Sequence, residues 1–414
     1  LQLFLYDTAI FFYALLLRIA SLFHPKAKLF VDGRKAIFSK IREALSSETR
    51  PVIWMHCASL GEFEQGRPLI EKIKSGKKDY CIFLTFFSPS GYEIRKNYEL
   101  ADFVFYLPFD TKKNATKLIR ILNPKVVLFV KYELWFHYLK ELTKLKVPLI
   151  LFSAYIQKNQ VFFKWYGGLH RKMLGFFQQI FVQDAPSKAL LNSIGITNVI
   201  IAGDTRIDRS MKVLEENRKF ENIEIFKGNN QLIIAGSTWP EDEILLRKTM
   251  QLLPENYKLL LAPHEIKEDN IQRILKMFHP DICFWDADEP MLLKHRIGLV
   301  NSVGHLAFLY KYADMVWVGG GFTKSGIHNI IEPAVFGVPV FFGPNFKRFR
   351  EADDMIKLNA AATYSTAQEL KHVILNKSDL LEKGRKAKEY VAAQLGATSK
   401  IFDYLSEKCL DNTL

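Results

Sequence analysis

The sequence predicts an α/β protein made of two parallel-sheet domains, preceded by an apolar helix. Three observations predict it. Short β-rich runs alternate with amphipathic, charged stretches, the pattern of a parallel sheet covered on both faces. The chain has 414 residues, too many for one ordinary core. The alternation stops at a charged stretch, residues 210–230, and then starts again. The reading is therefore two Rossmann-like domains facing a central cleft, with chemistry expected beyond the carboxyl ends of the strands.

The elements follow in order. Residues 1–23, "LQLFLYDTAIFFYALLLRIASLF", are almost wholly apolar over roughly the length that spans a bilayer. Asp7 and Arg18 weigh against full insertion, and His24, Lys26, Lys28, Arg34 and Lys35 follow at once. A membrane-associating helix with the rest of the chain on the cytoplasmic side is the expectation, spanning or interfacial. The alternative is a buried helix of the first domain. Residues 24–209 form the first domain, with strands expected at Val52–His56, Cys81–Thr85, Phe103–Leu107, Val126–Val130, Leu149–Phe152, Ile180–Val182 and Val199–Ala202. Residues 210–230 read as a linker. Residues 231–414 form the second domain, with strands at Leu232–Ala235, Leu259–Ala262, Ile282–Phe284, Ile297–Val300, Met315–Val318 and Val338–Phe342, and a closing amphipathic helix over Leu380–Leu405.

Composition narrows the function. The formal net charge is +13 and the pI is near 9.3, which suits an acidic partner such as an anionic membrane or a phosphorylated substrate. The basic residues are dispersed without an aromatic-basic motif, so a nucleic-acid binder is not expected. Cys57, Cys81, Cys283 and Cys409 are scattered and form no C-x-x-C pair. That argues against a zinc site or disulfide framework and fits a reducing cytoplasm.

Several strand ends carry chemistry. In "MHCASLGEFEQGRP", Glu62 lies where a strand hands over to a helix. It reads either as a general base or as a favourable charge at a helix N-terminus. Glu133 in "LFVKYELWFHYL" and Arg206 in "IIAGDTRIDRS" also follow strands, so all three share one sheet edge. One carboxylate removing a proton, with other charges steadying a transition state, suits a sugar-phosphate site. In the second domain, "VWVGGGFTKSGIHNIIEPAVFG" has neither G-x-G-x-x-G spacing nor a P-loop lysine. It offers a glycine-dense turn, a helix start for phosphate, and Glu332 for a ribose diol. Ser237 and Thr238 in "AGSTWPEDE" are helix caps or phosphate contacts. Pro263 and His264, then Gly304 and His305, follow further strands.

Taken in order, these pieces resemble the Kdo transferases of Gram-negative bacteria, membrane-associated GT-B glycosyltransferases. The resemblance runs nearly end to end through "HCASLGE", "LTFFSPSGYE", "YLPFD", "YELW", "GDTRID", "AGSTWPEDE", "GGGFTKSGIHNIIEP" and "FFGPNF". It implies transfer of 3-deoxy-D-manno-octulosonic acid (Kdo) from CMP-Kdo to a lipid A precursor in lipopolysaccharide synthesis. The implied location is the cytoplasmic face of the inner membrane, with no cofactor and no metal. It implies Glu62 as catalytic base, Glu133 and Arg206 as transition-state stabilisers, and CMP contacts at Pro263, His264, Gly304, His305, Leu306, Asn329, Ile330, Ile331 and Glu332. The chain departs from the family pattern at Arg206 (usually Lys), His264 (usually Arg), His305 (usually Glu), Ile327 (usually Gly) and Lys131 (often acidic). The rival readings are another GT-B transferase, a sugar-nucleotide epimerase, and an inactive protein that binds anionic lipid.

Overall fold

The computed structural model describes residues 1–216 and 218–411. The chain divides into two compact units, Leu1–Asp208 with the segment from Gly396, and Arg209–Leu395. The first unit holds a seven-stranded sheet: β1 Val52–Cys57, β2 Cys81–Phe86, β3 Phe103–Tyr106, β4 Val126–Val130, β5 Leu149–Ala154, β6 Gln179–Val182 and β7 Val199–Ile201. The strand order is β3-β2-β1-β4-β5-β6-β7 and each pairing is parallel. β1, β2, β4 and β5 are buried at every position, because helices cover both faces. That is why these strands read as continuous apolar runs without alternation.

The second unit repeats the plan with β8 Gln231–Thr238, β9 Tyr257–Pro263, β10 Ile282–Phe284, β11 Ile297–Leu299, β12 Met315–Val318, β13 Val340–Phe342 and β14 Ala361–Thr363. Its order is β10-β11-β9-β8-β12-β13-β14, again parallel. The strand order changes direction between β1 and β4 in the first sheet and between β8 and β12 in the second, where β11 also inserts between β9 and the edge strand β10. Loops leaving the two central strands diverge there and open a crevice at the carboxyl edge.

Two expected boundaries are corrected. The end of the chain does not join the second unit. Ala397, Ile401, Leu405, Cys409 and Leu410 are buried in the first unit's core with Ile53, Leu69, Ile73 and Phe86. Spacing of four residues puts Ala397, Ile401 and Leu405 on one helical stripe, and that stripe covers the face of the first sheet. The Asp208 carboxylate accepts from Gly396 N at 2.7 Å and Thr398 N at 2.6 Å, satisfying donors at the start of the helix Ala397–Leu405. The helix expected over Leu380–Leu405 is thus two helices, Lys377–Ala392 and Ala397–Leu405, broken at Gly396 with φ +94°. Nor is 210–230 a bare linker. It carries the end of the helix Thr205–Glu215 and the helix Glu221–Lys227, whose Ile223 and Phe226 are buried. Asn217 lies outside the described residues.

The apolar helix spans Gln2–Ala20. One face docks on the first unit. Tyr6 Oη donates to Asp110 at 2.6 Å, Asp7 pairs with His137 at 2.6 Å, and Tyr13 lies among Phe30, Phe87 and Phe109. The other face leaves Phe4, Phe11, Phe12, Leu16 and Ile19 more than half exposed. Among the described residues it is the one helix long and apolar enough to cross a membrane.

Candidate active site

Two strand ends at the β1/β4 reversal build the first cluster. β1 runs out at Cys57, and Ser59 caps the helix Leu60–Gly76, which puts Glu62 at its third position. From there Glu62 Oε2 reaches back to accept from Ala58 N. Ala58 precedes the N-cap, so the carboxylate braces the turn between β1 and the helix from a position where a first-turn charge is favourable. Yet a first-turn charge is ordinarily easy to ionise, and Glu62 is not. Burial, then the charge of Glu133, push its carboxyl up to about 8, against smaller lowering effects from Ala58 N, Lys131 and Ser59 N. A carboxyl that holds its proton near neutrality is a poor brace and a well-matched acid–base group.

β4 delivers the neighbours. Lys131 turns the chain with φ +61° and Glu133 follows. Trp135 Nε1 donates to Glu133 Oε2 at 3.0 Å and to His56 Nε2 at 3.2 Å. His56 is fully buried on β1, with Nδ1 2.9 Å from Thr85 Oγ1 and 3.2 Å from Thr85 O. The indole only donates, so His56 Nε2 accepts and Nδ1 carries the proton. The chain Thr85–His56–Trp135–Glu133 thereby fixes Glu133 from the core outward. Cys57 beside it is buried, and burial with Glu62 and Glu133 pushes its thiol well up, so it is no nucleophile.

Arg206 follows β7 at the start of the helix Thr205–Glu215. Its guanidinium is clamped by buried Asp204, with Nε at 3.1 and 3.0 Å from the two oxygens and a terminal nitrogen at 2.6 Å. Burial alone would raise the Asp204 carboxyl. The Arg206 charge and hydrogen bonds outweigh it and hold the group below its usual range, with help from Lys131. Thr205 Oγ1 donates to Gln65 O at 2.6 Å, which ties this strand end to the helix of Glu62. Glu62 and Asp204 both feel Lys131, so the charges form one neighbourhood.

The second unit gathers its candidates at the β8/β12 reversal. Gly319 packs where an added Cβ would lie 2.3 Å from Ser237 O, and Gly320 has φ +92°. Asp242 organises the turn, accepting from Trp239 N at 2.9 Å, Gly320 N at 2.9 Å and Trp317 Nε1 at 3.0 Å. His264 stacks on Trp239 at 4.8 Å and lies 4.5 Å from His328, whose Nε2 accepts from Trp239 Nε1 at 3.3 Å. Burial, then His264, lower the His328 imidazole to about 4, so it is neutral. Pro263 ends β9 opposite Thr238. Asn329 Nδ2 donates to Glu332 Oε1 at 3.0 Å, and Asn329 Oδ1 accepts from Ile331 N at 3.0 Å, so Asn329, Ile330, Ile331 and Glu332 form one tight turn. Gly304, with φ +89°, leads into His305 and Leu306, where His305 packs 5.3 Å from Trp285 and 5.8 Å from Phe220.

Two expectations change here. Thr238 is buried and its hydroxyl donates to Glu243 at 3.1 Å, so it faces the interior rather than a phosphate, and neither it nor Ser237 caps the next helix. Trp239 holds the cap position, its N–H taken by Asp242. The helix expected to receive phosphate at Glu332 is only four residues, Ile331–Ala334, too short for an appreciable dipole. His56, Asp204, Trp239, Asp242 and His328 enter from the structure, as does the effect of Lys131 on Glu62 and Asp204. Of these, Asp204 was visible as an acid two residues before Arg206. Among the described residues no cluster of His, Cys, Asp or Glu suits a metal ion.

Comparison with known proteins points to one family. Residues 33–209 match the family model described as 3-deoxy-D-manno-octulosonic-acid transferase. A 3-deoxy-D-manno-octulosonic acid transferase of Haemophilus influenzae is 26% identical over 372 residues, covering 85% of this chain and 86% of that protein. The chain is similar to the Kdo transferases over most of its length, at about a quarter identity. It is a glycosyltransferase, and its two parallel-sheet units are those of the GT-B fold. Two solved structures share that fold at low identity. UDP-GlcNAc 2-epimerase from Neisseria meningitidis has TM-score 0.61 and 15% identity over 86% of this chain and 100% of that one. MurG from Acinetobacter baumannii has TM-score 0.56 and 11% identity over 86% and 99%.

Proposed function

We propose that this glycosyltransferase moves Kdo from CMP-Kdo to a lipid A precursor with inversion at the anomeric carbon. The observation that carries the reading is Glu62: a carboxyl at a strand end of the first sheet, its affinity for protons raised to about 8 by burial and by Glu133. Such a group takes a proton from a sugar hydroxyl at the pH where it works. The hydroxyl oxygen then attacks the anomeric carbon of Kdo while the bond to the CMP phosphate breaks. Positive charge develops at the ring, and Glu133, held by Trp135, is suited to steady it. Arg206 and Lys131 supply cations toward the phosphate that departs. The turn Asn329–Glu332 offers a carboxylate for a ribose diol, and His264 on Trp239 offers a flat surface for the nucleotide. The exposed apolar face of Gln2–Ala20 supports placement on the cytoplasmic surface of the inner membrane. Because Tyr6 and Asp7 are bonded to the first unit, the helix would lie in the interface rather than cross the bilayer. The test is transfer itself: Glu62→Gln should fold normally and lose about a hundred- to ten-thousand-fold in turnover. Near-normal turnover would remove Glu62 from this role.

A further inference from the structure

A pocket of about 450 Å³ lies on the first unit beside the apolar helix. Five cations line it, Arg18, Arg34, Lys35, Arg42 and Lys117, and no acidic side chain does, among the described residues. Lys35 pairs with Asp32 at 2.7 Å, outside the lining. The others have no carboxylate partner among the described residues. Five like charges around one cavity repel one another, and an anion relieves that.

Arg34 shows that the pocket is built rather than incidental. Its guanidinium donates to Leu107 O at 2.8 Å, Phe30 O at 2.9 Å and Phe87 O at 2.7 Å. It also lies over the rings of Phe30 at 3.7 Å and Tyr106 at 4.7 Å. Three neutral carbonyls and aromatic faces hold a cation in place without cancelling its charge. Beside it, the pocket wall runs from Ala36 to Ser39 at the start of the helix Ile37–Ala44, and Ala36 is held at φ +53°.

What lies next to the pocket identifies the anion. Arg18 lies in the last turn of the helix, whose exposed apolar face carries Phe11, Phe12, Leu16 and Ile19. A second pocket, about 560 Å³, shares Arg18, Phe109 and Asn114; Ile10, Phe11, Ala14 and Leu15 of the helix wall one side, and Asp7, Asp110, Lys112 and His137 make the rest polar. The exposed apolar helix face near Arg18 and the cations of the first pocket match a lipid, acyl chains along the helix face and headgroup phosphate among the cations. We propose that the Arg18–Arg34–Lys35–Arg42–Lys117 pocket binds the phosphate of an anionic phospholipid in the membrane surface and so fixes the orientation of the first sheet's carboxyl edge. The proposal rests on the interfacial placement of the helix and not on the transfer chemistry.

Vesicle sedimentation tests it with the full chain. The probes are pure phosphatidylcholine and phosphatidylcholine with phosphatidylglycerol at constant ionic strength. The native protein should bind both, and the anionic vesicles much more strongly. Arg42→Gln with Lys117→Gln, both exposed side chains, should keep the native melting temperature and the zwitterionic affinity. It should lose about 25-fold on anionic vesicles, about fivefold per charge. Lys78→Gln with Lys144→Gln removes the same charge at the amino edge of the sheet and should change little. An equal loss in both pairs would overturn the proposal in favour of diffuse charge. Release from anionic vesicles by millimolar inorganic phosphate at fixed ionic strength would reassign the pocket to soluble phosphate. A raised KM for detergent-dispersed acceptor with unchanged vesicle binding would reassign it to the acceptor. Binding to neither vesicle would refute the interfacial placement itself, and the pocket proposal with it.

Discussion

Replacing Glu133 with Gln tests the electrostatics of Glu62 without touching Glu62. The Glu62 carboxyl moves from its ordinary value near 4.5 to about 8, with burial as the first cause and Glu133 as the second. That gap corresponds to at most ~5 kcal/mol in favour of the protonated form, less what water reaching the side chain screens. At pH 7 only about a tenth of the free enzyme then carries the base, and kcat/KM should climb tenfold per pH unit toward a plateau above pH 8. Glu133→Gln removes the like charge, leaves the size, and still accepts from Trp135. The acid limb should move down by about 1 pH unit, which raises the ionised fraction at pH 7 to about a half. The plateau should fall at the same time, because the stabilising charge is gone. The assay is kcat/KM for Kdo transfer between pH 5 and 10 in both proteins. A limb that stays in place, or a native limb near 4.5, would refute the coupling.

Glu62→Gln should also change stability with pH. The folded carboxyl titrates higher than the unfolded one, so its contribution is fully present below about pH 4.5 and is lost as pH rises through 8. The variant should melt like the native protein at pH 4 and several degrees higher at pH 9, by scanning calorimetry. Asp242→Asn should destabilise the second unit by about 1–3 kcal/mol in urea, because one of three buried donors then faces an amide N–H. Asp208→Ala should cost about 1–2 kcal/mol and expose residues 396–411 to limited proteolysis, because it uncaps the last helix. Unchanged cleavage would return that helix to the second unit.

Much of this was legible in the sequence for a physical reason. Buried parallel strands must be apolar throughout, and thirteen of them stood out as runs such as Val126–Val130 and Met315–Val318. β14, Ala361–Thr363, was missed because an edge strand of three small residues carries no such signal. The last helix was misplaced because an apolar stripe says that a face is buried, not against what. The carboxyl-edge placement of Glu62, Glu133 and Arg206 followed from strand order alone. What did not follow were the partners that set their chemistry. Asp204 neutralises much of Arg206, and Lys131 reaches both Glu62 and Asp204. His56 backs Trp135 from inside a strand where it looked like one more core residue. Thr238 likewise turned inward to Glu243, a choice that side-chain packing makes and local sequence does not.

Transfer of Kdo with Glu62 as the base can be tested directly. The most direct measurement incubates purified native protein and Glu62→Gln with CMP-Kdo and a lipid A precursor at pH 8, then weighs the lipid by mass spectrometry and follows CMP release. The native protein should give a Kdo-bearing lipid and matching CMP, and Glu62→Gln almost none. CMP-Kdo left intact by the native protein, or equal product from both, would contradict it.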